Sequence, residues 1–191
     1  MGNESDIRSR GRLSPSTRQR FRIDLTSDGA DWTALAQRDA SGCVAEIARA
    51  IPAHVGLPAT GAAATVVLSH DAAVRALNKT WRGQDKATNV LSFPATARQQ
   101  QPTRRLFVGD VIVAEETLVR EAGDLGIPIA DHFRHLVLHG LLHLLGFDHA
   151  SESEAASMES LETHVLASLG VADPYADAEP LAAAPQLGGG T

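Results

Sequence analysis

The spacing of apolar and polar residues divides most of the chain into strands and helices. Short apolar or alternating runs predict strands at 20–25, 63–69, 89–93 and 106–113. Apolar residues at helical spacing predict helices at 32–51, 71–79, 115–125, 131–145 and 152–169. Because strands and helices are intermixed, the order predicts an α+β fold, a single small domain with a roughly four-stranded mixed sheet packed against helices.

Capping residues and helix breakers set the expected ends of these helices. Ser69 or Asp71 is expected to cap the second helix, and Asp131 the fourth. Ser41-Gly42 is a possible interruption of the first helix, and the Pro/Gly-containing stretch 52–61 predicts a loop after it.

The two ends of the chain differ in composition from its middle. Residues 1–19 are polar and rich in Arg and Ser, which predicts a disordered arm. Residues 173–191 are rich in Pro, Ala and Gly, which predicts a disordered tail. A folded domain is therefore expected over residues 20–172, and the full length of 191 residues fits one domain.

Composition indicates a soluble cytoplasmic protein. Hydrophobic residues make up 43% and charged residues 21% of the chain, and no apolar stretch is long enough to cross a bilayer. A single cysteine, Cys43, excludes an internal disulfide and suits a reducing compartment. We expect Cys43 to be a small buried hydrophobe.

Positive charge is concentrated in one segment, although the net charge is −6. The range 75–105 contains seven Lys or Arg residues against the single acid Asp85, and no Lys or Arg follows Arg134. Phosphate affinity depends on such local clusters rather than on net charge. The only two lysines, Lys79 and Lys86, flank Arg82 and are candidate substrate contacts. A solvated charged face is the alternative interpretation.

Three histidines have the spacing of a metal site on a helix and the turn that follows it. His139 and His143 are four residues apart, so on a helix they share one face. Gly146 can end that helix in a left-handed conformation and return His149 as a third ligand. Three imidazoles leave one tetrahedral position open, as in a catalytic zinc site, although other divalent transition metals suit the same ligands.

The position after the first histidine carries no acid. Metalloproteases of the His-Glu-x-x-His type place their general base there, whereas this chain has Gly140. The spacing of the three histidines is otherwise that of a metzincin-like metalloprotease. The pattern therefore favours a different hydrolytic reaction, or a base supplied from elsewhere in the chain.

Several motifs in order resemble the YbeY family of bacterial metal-dependent endoribonucleases. The run 139–149, HGLLHLLGFDH, is similar to its signature, and 77–94 is similar to its pattern LNxxYRGxDxxTDVLSFP. The run 109–113, GDVIV, resembles its GDIVI strand, and 158–162 with 169–170 fit its last helix. Trp81 and Asn89 depart from the Tyr and Asp that are usual in the second pattern.

The resemblance implies a zinc-dependent, single-strand-specific endoribonuclease. It implies action in ribosomal RNA maturation near the 3′ end of the small-subunit RNA and in ribosome quality control, with ribosomal subunits or ribosome-associated proteins as partners. It also implies that Arg82 is essential, and a guanidinium there is expected to stabilise phosphoryl charge. The alternatives are a metalloprotease and a non-catalytic ribosome assembly factor with a structural metal.

The remaining candidates are given minor roles at this point. His135 is expected to be packed, and ordinary surface positions are expected for His54, His70, His132 and His164. Asp148 is expected either to orient a ligand imidazole or to cap the turn. Trp81 and Phe93 are interpreted as structural rather than as surfaces for stacking bases.

Overall fold

The computed structural model describes residues 20–29, 32, 33, 35, 37–99 and 105–176. Its elements are β1 (Phe21–Ser27), α1 (Gln37–His54), β2 (Ala62–Ser69), α2 (Asp71–Arg82), β3 (Val90–Pro94), a 3₁₀ turn (Ala97–Gln99), β4 (Leu106–Ala114), α3 (Glu115–Leu125), α4 (Ile129–Leu144) and α5 (Glu152–Ser168). The predicted arm 1–19 and residues 177–191 of the predicted tail lie outside the described residues, so the predicted domain boundaries remain predictions. No helix in the described ranges combines the length and apolarity needed to span a bilayer.

The four strands form one mixed sheet in the order β1-β2-β4-β3. β1, β2 and β4 run parallel, and β3 is an antiparallel edge strand paired with β4. A bulge places Val108 between the residues of β4 that pair with Ala63 and Ala64. The expected α+β class and four-stranded mixed sheet are confirmed.

Helices cover both faces of the sheet, and most of the core lies on one side. α1 and α4 pack on that side, where Ile47, Phe133 and Leu141 are fully buried, and α5 packs against both helices. α2 covers the opposite face near β3 and β4 through a smaller cluster around Val74 and Leu91. Cys43 lies in the main core, as expected.

The close approach of α4 to the sheet depends on Gly140. Its carbonyl accepts a hydrogen bond of 3.0 Å from Ser92 Oγ on β3. A Cβ at this position would lie 2.7 Å from Val111 Cγ1 and 2.9 Å from Ser92 Oγ. The helix can therefore sit this deep only without a side chain at position 140, and this depth fixes the height of His139 and His143 relative to β3.

Several predicted helix ends are wrong. α1 begins at Gln37 rather than residue 32 and continues through Ser41-Gly42 to His54, because its buried apolar face outweighs the weak helix propensity there. Part of the predicted loop 52–61 is thus helical. The cap of α2 is neither Ser69 nor Asp71 but His70, whose Nδ1 accepts a 3.1 Å hydrogen bond from Ala73 N.

The expected cap of α4 is also wrong. The helix begins at Ile129, and its N-cap is Pro128, which has an extended backbone (φ −60°, ψ 136°) and makes no side-chain cap hydrogen bond. Asp131 lies in the first turn, where its Oδ1 instead forms an ion pair with Arg134 Nη1 at 2.9 Å. The N-cap of α4 therefore lies three residues earlier than the capping pattern indicated.

Candidate metal centre

α4 and the turn after it bring the three predicted histidines together. His139 and His143 lie one helical turn apart, and their Nε2 atoms are 3.1 Å from each other. The ring of His149 lies 4.9 Å from that of His143 and 5.7 Å from that of His139, centroid to centroid. Each histidine offers one nitrogen within 4.8 Å of the other two, so the cluster can hold a metal ion.

The turn after α4 is built around Gly146, as the sequence indicated. Gly146 has φ of +94°, a conformation that residues with a side chain rarely adopt. Phe147 N donates to Leu142 O at 3.0 Å, which folds the chain back over the end of the helix. Phe147 O then lies 3.1 Å from His143 Nδ1, so the same turn orients a candidate ligand.

A buried carboxylate on α5 contacts the first histidine. Glu162 has no exposed surface, and its Oε1 accepts a 2.8 Å hydrogen bond from His139 Nδ1. Oε2 accepts a hydrogen bond from the Tyr175 hydroxyl and lies 3.8 Å from His135 Nε2. Burial opposes the negative charge, but His135, His139 and Tyr175 outweigh it and lower the pKa of Glu162 to about 2.

The protein groups that contact Nδ1 of His139 and of His143 determine which nitrogen of each ring carries hydrogen. These groups are the Glu162 carboxylate and the Phe147 carbonyl. A carbonyl and an ionised carboxylate only accept, so Nδ1 is the protonated nitrogen of both His143 and His139. Their Nε2 lone pairs then face each other across 3.1 Å, which is unfavourable without a cation. In a tetrahedral zinc site two such nitrogens are about 3.3 Å apart. The donor set and its spacing therefore fit a transition-metal ion.

The electrostatics of the cluster also favour neutral imidazoles. Burial, together with the neighbouring rings of His139 and His149, lowers the pKa of His143. A neutral ring is the form that binds a metal. Of the two roles expected for Asp148, the structure shows the turn cap, since its Oδ1 accepts a 2.8 Å hydrogen bond from His149 N and lies 3.9 Å from His143 Nδ1.

The basic candidates lie at the end of α2 and in the loop after it. Arg82 is the last residue of α2, and Gly83 ends the helix with φ of +68°. Within the described ranges the Arg82 side chain is exposed and forms no hydrogen bond or ion pair, so its guanidinium is available to an anion. Lys79 pairs with Asp85 at 2.8 Å, and Lys86 is exposed.

Asp85 offsets part of the charge in this segment. It also pairs with Arg75 at 2.7 Å, and hydrogen bonds from Lys79 and Arg75 lower the pKa of its carboxyl. Arg75, Lys79 and Asp85 together carry one net positive charge. The charge available to a polyanion is therefore smaller than the count of basic residues indicated.

Three residues of the site region were missed or misjudged from sequence. Glu162 and Tyr175 were given no role, because residues 23 and 36 positions after His139 carry no local spacing signal. His132 was expected on the surface, but it is buried and its Nε2 lies 2.9 Å from Glu121 Oε2. His135 is half-buried and contacts the Tyr175 hydroxyl at 3.3 Å.

Comparison with known proteins supplies the family. The sequence model described as "Endoribonuclease YbeY" matches residues 28–170, three quarters of the chain. The chain belongs to the endoribonuclease YbeY family. A relative named Endoribonuclease YbeY from Rhodospirillum rubrum is 48% identical over 168 residues, covering 83% of this chain and 84% of the relative. Another of that name, from Paramagnetospirillum magneticum, is 47% identical over 149 residues, covering 76% and 90%.

A relative from a further organism carries the same name. Endoribonuclease YbeY of Rhizobium meliloti is 51% identical over 124 residues, covering 65% of this chain and 74% of the relative. The solution structure of a Thermotoga maritima protein matches with a TM-score of 0.49 and 21% identity, covering 83% of this chain and 97% of that one. YbeY membership supports a nuclease, a hydrolase of phosphodiester bonds, over the metalloprotease alternative.

Proposed function

We propose that this YbeY protein is a zinc-dependent, single-strand-specific endoribonuclease of the cytoplasm. Its proposed role is maturation of ribosomal RNA at the 3′ end of the small-subunit RNA, and ribosome quality control. The observation that carries the proposal is the pair of Nε2 atoms 3.1 Å apart with both Nδ1 atoms already occupied by protein acceptors. Such a pair is preorganised for a cation, and His149 completes a set of three ligands.

The chain's own residues divide the chemistry between them. A Zn²⁺ held by His139, His143 and His149 would supply Lewis acidity and lower the pKa of a coordinated water. Glu162 keeps the His139 ring in the tautomer and orientation that present Nε2 to the ion. Arg82 is proposed to bind the scissile phosphate through two N–H donors and to stabilise the charge that develops in the transition state.

Charge distribution suggests how RNA would approach. α5 carries the acids Glu152, Glu154 and Glu159 on exposed positions, and the chain beyond Arg134 has no Lys or Arg. The exposed face of α5 therefore repels a phosphate backbone. The free guanidinium of Arg82 lies at the end of α2 and the exposed Lys86 in the loop after it, with Lys79 in the last turn of α2. We therefore place the backbone contacts at the end of α2, with Lys79 and Lys86 as contributors.

Gly140 supports hydrolysis of RNA rather than of peptides. The general base of a His-Glu-x-x-His peptidase would be at this position, yet even a Cβ would lie 2.7 Å from Val111 Cγ1. A carboxylate side chain has no room between α4 and the sheet. A metal-dependent peptidase would need a different base.

The test is cleavage of RNA by zinc-loaded protein. The substrate is a single-stranded RNA that spans the 3′ end of the small-subunit precursor, compared with the same RNA in a duplex. We expect Arg82→Ala and His143→Ala to reduce the cleavage rate at least ~100-fold, the usual cost of losing one charge-stabilising group. The matched control is Arg22→Ala, since Arg22 is an exposed arginine on β1 that pairs only locally with Asp24.

Three outcomes separate the functions. Cleavage of the single strand by wild type and Arg22→Ala, with loss in the other two variants, supports the nuclease. Equal cleavage by all four proteins indicates a contaminating nuclease and contradicts the proposal. Stoichiometric zinc and binding to ribosomal subunits without any cleavage would indicate the assembly factor with a structural metal.

A further inference from the structure

Trp81 is a large aromatic side chain that the fold leaves in solvent. Its relative exposure is 69%, whereas the other seven aromatic residues of the chain are buried or half-buried. Trp32 shows the usual arrangement, because its Nε1 donates to Ser69 O at 2.9 Å and its ring packs edge-on against Phe133. Trp81 was interpreted as a structural residue, and the structure leaves most of its ring in solvent.

The exposed indole is held in place rather than loose. Its ring meets that of Phe93 in an edge-on contact, with centroids 6.2 Å apart and an angle of 69° between the planes. A side chain with this exposure has at least one π face open to solvent. Single exposed apolar residues are common on proteins, so exposure alone decides nothing and the neighbours of Trp81 matter.

Two cationic residues lie close to Trp81 in the sequence of α2. Arg82 follows it directly and is unpaired within the described ranges, and Lys79 lies two residues before it. An aromatic face beside a free guanidinium matches the alternation of base and phosphate in a nucleic acid strand.

β3 connects Trp81 with the histidine cluster. Phe93, on which Trp81 packs, lies near the end of β3, and its carbonyl is so close to Gly109 that a Cβ there would clash with it. The same Cβ would lie 3.0 Å from Leu144 Cδ2, and Leu144 directly follows His143 in α4. The Trp81 ring and the end of α4 that carries His143 thus both lie near this end of the edge strand.

We infer that Trp81 stacks on a nucleobase of single-stranded RNA while Arg82 contacts the adjoining phosphate. Bases in a duplex are already stacked on each other and present no face, so this contact selects unpaired strands. The inference deepens the function proposed above and depends on it for the identity of the ligand. The inference assigns the preference for single-stranded over duplex RNA to the Trp81 side chain.

Binding without cleavage provides the test. A short fluorescent oligoadenylate is titrated into metal-free, full-length protein, and dissociation constants are measured for wild type, Trp81→Phe, Trp81→Ala and Leu125→Ala. Leu125 is the control because it is likewise an exposed apolar residue, at 62%, but lies at the end of α3. We expect Trp81→Ala to weaken binding roughly 5- to 100-fold, the range for loss of one base–aromatic stack. Trp81→Phe should retain most of the affinity, and Leu125→Ala should match wild type.

A second ligand separates stacking from charge. An abasic oligonucleotide of equal length has the same phosphates and no bases, so wild type and Trp81→Ala should bind it equally. Equal affinity of wild type and Trp81→Ala for oligoadenylate overturns the inference, as does an equal loss on the abasic strand. Wild type that binds no RNA overturns both proposals. Trp81-dependent binding by a protein that never cuts RNA contradicts the nuclease and leaves the stacking site standing.

Discussion

Glu162 Oε1 accepts a hydrogen bond of 2.8 Å from His139 Nδ1, from a position with no exposure to solvent. The carboxylate therefore acts on the opposite side of the imidazole from Nε2, the nitrogen proposed to bind the metal. Partners of this kind fix the tautomer and increase the basicity of the ligand nitrogen. The network of His139, Glu162, Tyr175 and His135 links α4, α5 and the segment after α5 at the candidate metal centre.

Replacing Glu162 by Gln should weaken zinc binding. An amide is uncharged and holds the His139 ring less firmly, so we expect a loss of about 10- to 100-fold in affinity. Competition with a chromophoric chelator measures this without any cleavage assay. Glu159→Gln is the control, because Glu159 is an exposed acid on the same helix. Equal affinities for wild type and Glu162→Gln would rule out the positioning role.

The stability of the metal-free protein should fall in acid because of Glu162. Its pKa is about 2 in the folded protein and about 4.3 in an unfolded chain. The ionised form therefore stabilises the fold above about pH 4.5, and this contribution is lost as the pH falls toward 2. It amounts to about 3 kcal/mol.

Urea denaturation at several pH values between about 5 and 2 tests this sign and size. The free energy of unfolding of wild type should drop by about 3 kcal/mol more than that of Glu162→Gln over this window. Parallel curves for the two proteins would contradict the assignment of a charged, hydrogen-bonded Glu162.

Tyr175 should titrate well above the ordinary range of a phenol. Burial and the hydrogen bond to the Glu162 carboxylate raise the pKa of its hydroxyl. Since Tyr175 is the only tyrosine of the chain, ultraviolet absorption follows this one group directly. In Glu162→Gln the transition should move toward the ordinary value of about 10, because the neighbouring charge is gone. An unchanged transition would mean that Tyr175 does not contact Glu162 in solution.

Gly140→Ala should destabilise the fold. The added methyl would lie 2.7 Å from Val111 Cγ1, so α4 must move away from the sheet, at a cost of about 1–3 kcal/mol. Gly42→Ala is the opposite control, since it lies within α1 with nothing within 4 Å of its Cβ position. That change should stabilise by about 0.5–1 kcal/mol. Thermal unfolding of both variants gives the comparison, and stability equal to wild type in Gly140→Ala would show that α4 is not seated as deeply as described.

RNA binding should depend steeply on salt, with a contribution from Lys86. Each lysine that neutralises a phosphate of a single strand adds about 0.7 to the slope of log affinity against log salt. Lys86→Ala should therefore reduce the slope, and Lys79→Ala should reduce it less, because Lys79 is paired with Asp85. Filter binding across a salt series measures both slopes. Two slopes equal to that of wild type would place the backbone contacts elsewhere.

Patterns within short stretches of sequence predicted much of the fold and the histidine cluster. The i, i+4 spacing of His139 and His143 and the glycine at 146 act through local geometry, so the cluster followed from the sequence. Glu162 and Tyr175 reach the site only through the packing of α5 and its following segment on α4, which leaves no periodic trace. His132 was misplaced for the same reason, because its partner Glu121 comes from the neighbouring helix α3.

Tyr175 has a consequence for biosynthesis. All three histidines, Arg82 and Glu162 precede it in the chain, so a nascent protein presents a full ligand set before the residue that completes the buried network has been added. A polypeptide that ends before this tyrosine would keep the three histidines and Glu162 and lack the hydroxyl that donates to Glu162 Oε2. We therefore expect the buried network around Glu162 to be complete only in a chain translated past residue 175.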